Sequence, residues 1–149
     1  MSKISINLIW SLKNGALAPG KYSNEHKIEF NENTIITGDS APDWKGDPNN
    51  SNPEQTLAAS LSSCHMMTFL ALAAKMKWPV ISYKDIAIAK LGKNSKGKMS
   101  VTSIELNPKV KFSKNFSITN EKIKEVQDRA HRYCFIANSL SSEVQVKIN

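Results

Sequence analysis

From Pro53 to Met76 the chain reads as one long helix that is apolar or small on nearly every face. Asn52 fits an N-cap, Pro53 suits the first turn, and Glu54 adds negative charge where the helix dipole is positive. Leu57, Leu61, Cys64, Phe69, Leu72 and Met76 carry the pattern forward, and Trp78-Pro79 stops it. The remaining faces hold Ala58, Ala59, Met66, Met67, Leu70, Ala71, Ala73 and Ala74. A surface helix would place charged residues on one of these faces, so this helix must be buried on more than one side. Either a sheet wraps around it or a second copy of the chain packs against it.

The segments on either side read mostly as strands. Residues 3 to 12 form the first. The Asn14-Gly15 and Pro19-Gly20 pairs break the chain into a loop. His26 to Phe30 alternates in polarity, Asn31-Glu32-Asn33 turns, and Thr34 to Thr37 returns as a hairpin partner. Gly38 to Asn52 is a long irregular loop. After the helix, Ile81 to Lys90 and Lys98 to Phe112 read as two long strands joined by a turn at 93 to 97. Thr119-Asn120-Glu121 starts a second helix, on which Ile123, Val126, Ala130 and Tyr133 recur at helical spacing. Asn138 to Ser142 reads as a loop and Val144 to Ile148 as a final strand. The order predicts a single α+β domain over residues 1–149, built on antiparallel sheet.

Composition narrows the partners. No apolar run approaches the roughly 20 residues a bilayer span needs, so no membrane association is expected. The Ile4 to Trp10 patch reads as a strand rather than as the core of a signal peptide. Two cysteines in 149 residues are too few for a disulfide scaffold and point to a reducing cytoplasm. The net charge of +7 is compatible with nucleic acid. However, only Arg129 and Arg132 are arginines, and the lysines are scattered, as on solvated strand faces. A nucleic-acid partner is therefore disfavoured.

Chemistry centres on Cys64 and Cys134. Cys64 shares the apolar stripe of the long helix, where a cysteine can serve simply as a small hydrophobe. A reactive thiol needs a nearby cation or helix N-terminus, and Cys64 lies about three turns from the helix start. Glu54, ten positions earlier, is about 15 Å away along the axis and about 80° around it, so the two do not meet on one straight helix. His65 points about 100° from Cys64 and reads as a helix histidine rather than its base. There is no C-x-x-C or H-x-x-x-H spacing for a metal and no Gly-rich phosphate loop. Neither a metal nor an organic cofactor is expected.

Taken together, the cysteine frames resemble the OsmC/Ohr family, the osmotically inducible and organic hydroperoxide resistance proteins. The matching pieces are Asn52-Pro53-Glu54, then Ser62-Ser63-Cys64-His65-Met66, then Cys134 followed by Asn138-Ser139-Leu140. Tyr22-Ser23-Asn24-Glu25-His26 and Gly46-Asp47-Pro48 resemble loop segments of an OsmC-like subgroup. The resemblance implies an α+β homodimer whose antiparallel sheets wrap around two long central helices, with sites at the interface. It also implies thiol-dependent reduction of organic hydroperoxides, and of hydrogen peroxide as a further substrate. Cys64 would become a sulfenic acid, Cys134 would resolve it as a disulfide, and Glu54 would belong to the polar network beside the thiol. A dithiol or lipoyl-type donor would then restore the pair. The family pattern leads one to expect an arginine where this chain has Asn24, which cannot supply a positive charge. Two other readings stand beside the peroxidase: a non-enzymatic stress or redox-sensor protein, and a basic nucleic-acid-associated protein.

Overall fold

The computed structural model describes every residue from Met1 to Asn149. The elements are β1 (Asn7–Ile9), β2 (His26–Asn31), β3 (Thr34–Gly38), α1 (Pro53–Lys75), β4 (Val80–Lys84) and β5 (Ile88–Lys93), followed by β6 (Met99–Leu106), β7 (Lys109–Phe112), α2 (Asn120–Tyr133), α3 (Phe135–Ser139) and β8 (Gln145–Ile148). The class is α+β, as expected. The chain divides into two compact units, Met1–Thr56 and Leu57–Asn149.

In the first unit β1, β2 and β3 form an antiparallel sheet in that order. The first strand is far shorter than the expected residues 3 to 12. Its ladder runs only from Asn7 opposite Glu29 to Ile9 opposite Lys27. Beyond it the Trp10 indole N–H donates to the Ser23 carbonyl at 2.8 Å, so side-chain anchoring replaces strand pairing. The loop after β3 is irregular but well tied. Asp39 is buried and accepts the backbone N–H of Ser40 at 2.7 Å and of Asp47 at 3.0 Å. The Asp47 N–H is the main reason its carboxyl is held below the usual range. A short 3-10 helix, Pro42–Trp44, lies within this loop. Gly46 follows it, at a point where a Cβ would collide with the Ser40 carbonyl.

α1 starts in the first unit, and the boundary between Thr56 and Leu57 falls at the end of its first turn. Asn52 Oδ1 accepts the Gln55 N–H at 2.9 Å, and Gln55 Oε1 accepts the Asn52 N–H at 3.2 Å, a reciprocal cap. At its other end Lys77 adopts a left-handed φ of 57°. The Trp78 N–H then reaches the Ala73 carbonyl at 2.9 Å and the Lys77 N–H the Ala74 carbonyl at 3.0 Å, closing a Schellman motif. The helix therefore stops at Lys75, before Trp78-Pro79 is reached.

Each of the two long strands expected after the helix is broken in two. Asp85 causes the break. Its Oδ1 accepts the Asn107 N–H at 2.6 Å, and Asn107 Nδ2 donates to the Ile86 carbonyl at 2.8 Å. Pro108 has no N–H to continue the ladder. The strand pieces separate into a β4–β7 pair and a β5–β6–β8 sheet. β8 lies parallel to β6, with Ser103 opposite Gln145, so this sheet is mixed and not wholly antiparallel.

The buried stripe of α1 is Ala58, Leu61, His65, Phe69 and Ala73. Ala58 and Leu61 pack with Ile104, Leu106 and Cys134; Phe69 and Ala73 pack with Val126 and Ala130 of α2. The stripe is thus rotated slightly from the sequence expectation. His65 is at its centre, and Cys64 lies half-buried at its edge. α1 also has the length and mean hydropathy, 1.5 over 18 residues, of a membrane span. Runs of Ala, Leu and Met raise that average even though Ser60, Ser62, Ser63, His65 and Thr68 interrupt them.

Candidate thiol site

Cys64 and Cys134 come together from different elements. Cys64 is carried on α1. Cys134 stands between α2 and α3, where its backbone leaves the helical region at φ −70°, ψ 118°. There its sulfur caps α3, accepting the Ala137 N–H at 3.4 Å. Cys134 is fully buried, while Cys64 is partly open.

The two thiols are in opposite electrostatic positions. Burial works against ionisation of Cys64. The Cys134 thiol, the backbone N–H groups of Ile136 and Phe135 and the Thr68 hydroxyl lie where they favour the charged sulfur, and together they outweigh burial and bring it below the ordinary thiol value. Burial raises Cys134, and its role as proton donor beside an ionising Cys64 raises it further, to about 11. One sulfur therefore loses its proton readily while its neighbour keeps one. Large apolar side chains, Tyr133 and Phe135, stand exposed on either side of Cys134 in the chain. Tyr133 was expected on the inner stripe of α2, but the chain turns outward as that helix ends.

Glu54 lies on the first turn of α1, in the first unit, half-buried and with Oε2 lacking a hydrogen-bond partner. Asn24 is also in that unit, where its carbonyl accepts from His26 Nδ1 at 2.7 Å. His65 is turned away from the thiols, as its position after Cys64 predicts. It is fully buried, and its Nε2 meets Gln127 Oε1 at 2.6 Å. Burial lowers its pKa, so it is neutral and Nε2 carries the proton given to Gln127.

Two features escape a reading of motifs. The N–H groups of Phe135 and Ile136 are backbone and carry no side-chain signature. Gln127 does carry one: it is a polar residue on the Ile123, Val126, Ala130 stripe.

The family model for OsmC-like proteins matches residues 46–149. The chain belongs to the OsmC-like family. An OsmC-like protein of unknown function from Vibrio cholerae is 40% identical to it, with a TM-score of 0.91 and full coverage of both chains. An organic hydroperoxide resistance protein from Legionella pneumophila shares the fold at 14% identity and TM-score 0.70, over 99% of this chain and 97% of that one. Another organic hydroperoxide resistance protein, from Elizabethkingia anophelis, matches at 17% identity and TM-score 0.72, over 99% and 95%. No functionally curated protein matches the chain significantly. The family match spans the boundary between the two compact units.

Proposed function

We propose that this OsmC-like chain is a cysteine-based peroxidase that reduces organic hydroperoxides in a reducing cytoplasm. The observation that carries the reading is the paired thiols, one favoured as thiolate and the other kept protonated beside it. The Cys64 thiolate attacks the outer peroxide oxygen and the O–O bond breaks. The departing alkoxide takes a proton and leaves as the alcohol. Cys64 is then a sulfenic acid. Cys134 attacks the sulfenic sulfur, a disulfide forms, and the hydroxyl departs as water. An external dithiol reduces the disulfide by two electrons and returns both thiols.

The apolar surroundings suit an organic peroxide better than hydrogen peroxide. Phe135, 82% exposed, offers an alkyl or aryl group a surface beside the thiols. Glu54 is assigned to the polar network of the site, reached through a partner subunit. Its unpaired Oε2 supports this, since a buried carboxylate oxygen calls for a donor. A homodimer is supported by α1 itself. Only 28% of its most apolar window is buried within the chain, and Met67 at mid-helix is 58% exposed. Faces this apolar need covering.

The test is mass spectrometry of the reduced protein after one equivalent of cumene hydroperoxide. The expected product is a Cys64–Cys134 disulfide, with cumyl alcohol released. Two free thiols and intact peroxide would sink the proposal and leave a non-enzymatic role. Sedimentation at micromolar concentration tests the dimer, and a monodisperse monomer would refute it.

A further inference from the structure

The His65–Gln127 contact is an unusual way to join two helices. Both side chains are buried, at 0% and 4% exposure, and the bond between them is 2.6 Å. Around it, His65 Nδ1, Tyr83 Oη and His131 Nδ1 are buried without hydrogen-bond partners. Such a half-satisfied polar cluster holds helices together less well than an apolar pair of the same size. Its contribution must therefore lie in geometry. A hydrogen bond fixes rotation and axial register, which interdigitated alkyl groups leave softer.

The positions of the pair show what that geometry serves. His65 follows Cys64 directly on α1. Gln127 precedes Cys134 by seven residues on α2, which places the two about 20° apart around the helix axis and about 10 Å along it. One bond thus ties the helix that carries Cys64 to the helix that ends at Cys134. A side-chain atom sits about 5 Å from its helix axis, so a 20° roll of α1 would move the Cys64 sulfur by about 2 Å. A disulfide requires sulfurs about 2 Å apart with a defined dihedral, and a roll of that size misaligns them.

We propose that His65 and Gln127 are positioning residues for disulfide closure, setting the rotation of α1 against α2 so that Cys134 can reach the Cys64 sulfur. This rests on the thiol pair of the proposed function, but it can be tested without peroxide. Oxidised dithiothreitol can close the disulfide directly. The two thiols give up two electrons and two protons, and the cyclic disulfide reagent opens to its dithiol. The equilibrium measures how well the two sulfurs are placed.

Gln127→Met, of similar size but without the acceptor, should lower the disulfide-to-dithiol ratio by about tenfold or more, because sulfurs out of place form a strained and more reducible disulfide. Gln127→Glu retains an oxygen acceptor and should restore most of it. With peroxide, Gln127→Met should also accumulate a dimedone-trappable Cys64 sulfenate. A wild-type ratio in both Gln127→Met and His65→Phe would overturn the proposal, even if both melt at lower temperature. Failure of both to fold would also overturn it, by assigning the bond to core stability. A wild-type chain that closes the disulfide with oxidised dithiothreitol but leaves peroxide untouched would refute the peroxidase while leaving the positioning intact. One that closes no disulfide would overturn both.

Discussion

The opposed positions of the two sulfurs predict a large difference in alkylation. Cys64 ionises below the ordinary thiol value of 9.0, and Cys134 is raised to about 11. At pH 8 more than about 9% of Cys64 is thiolate, against about 0.1% of Cys134, a ratio of about ninety or more. The less basic thiolate is intrinsically the weaker nucleophile. With a Brønsted slope of about 0.5, each unit of basicity costs it about threefold, less than the roughly tenfold that each unit gains in ionisation while the thiol is mostly protonated. Cys64 should therefore still react faster, and the complete burial of Cys134 acts in the same direction. The assay is timed labelling of the reduced protein with iodoacetamide from pH 6 to 10, with peptide mass spectrometry at each cysteine. In guanidinium chloride the two rates should converge. Removing the neighbouring donor in Cys134→Ala should shift the Cys64 profile to higher pH. Equal rates in the folded protein, or a Cys64 midpoint above 9.0, would refute the assignment of attacking and resolving thiols.

Protonation of Cys134 also links to stability. Because its folded pKa is raised, the unfolded chain gives up this proton first, so stability should fall as pH rises from 9.0 to about 11, and Cys134→Ala should flatten that part of a urea-denaturation series. Leu61→Ala empties a fully buried position between α1 and β6 and should cost about 2–5 kcal/mol by the same measurement. Lys77→Gly should raise thermal stability by about 0.5–1 kcal/mol, since the left-handed residue that ends α1 would no longer carry a Cβ. Gly46→Ala should perturb the loop from Asp39 to Asp47 and weaken the protection of its amides from hydrogen exchange, because the Ser40 carbonyl occupies the space of the new methyl.

The fold was most legible where local chemistry acts alone. Asn52 and Thr119 announced both long helices, and both side chains accept the N–H three residues on. The β2–β3 hairpin followed from alternation and its turn. The broken strands were not legible. Asp85, Asn107 and Pro108 each disfavour strand locally, but the break itself depends on Asp85 meeting the N–H of Asn107, 22 residues away. The parallel pairing of β8 with β6 was likewise hidden, because strand alternation carries no direction.

The site divides along the same line. The frames of the two cysteines pointed to a pair, and the two do pack together, whereas the groups around Cys64 carried no such signal. A search for what activates Cys64 looks first for a cation, and Asn24 is not one. In the unit that holds both cysteines, the groups that favour the Cys64 thiolate are instead a neighbouring thiol, the Thr68 hydroxyl and two backbone N–H groups presented where Cys134 interrupts the helix. That interruption joins two functions in one residue. Cys134 caps α3 through its sulfur, which fixes the turn, and the turn directs the N–H groups of Phe135 and Ile136 at Cys64. Forming a disulfide would discharge Cys64 and draw on the sulfur that caps α3. On the proposed function, the groups that favour the Cys64 thiolate therefore rest on the residue proposed to resolve it, so replacing Cys134 is expected to slow the first step as well as abolish the second.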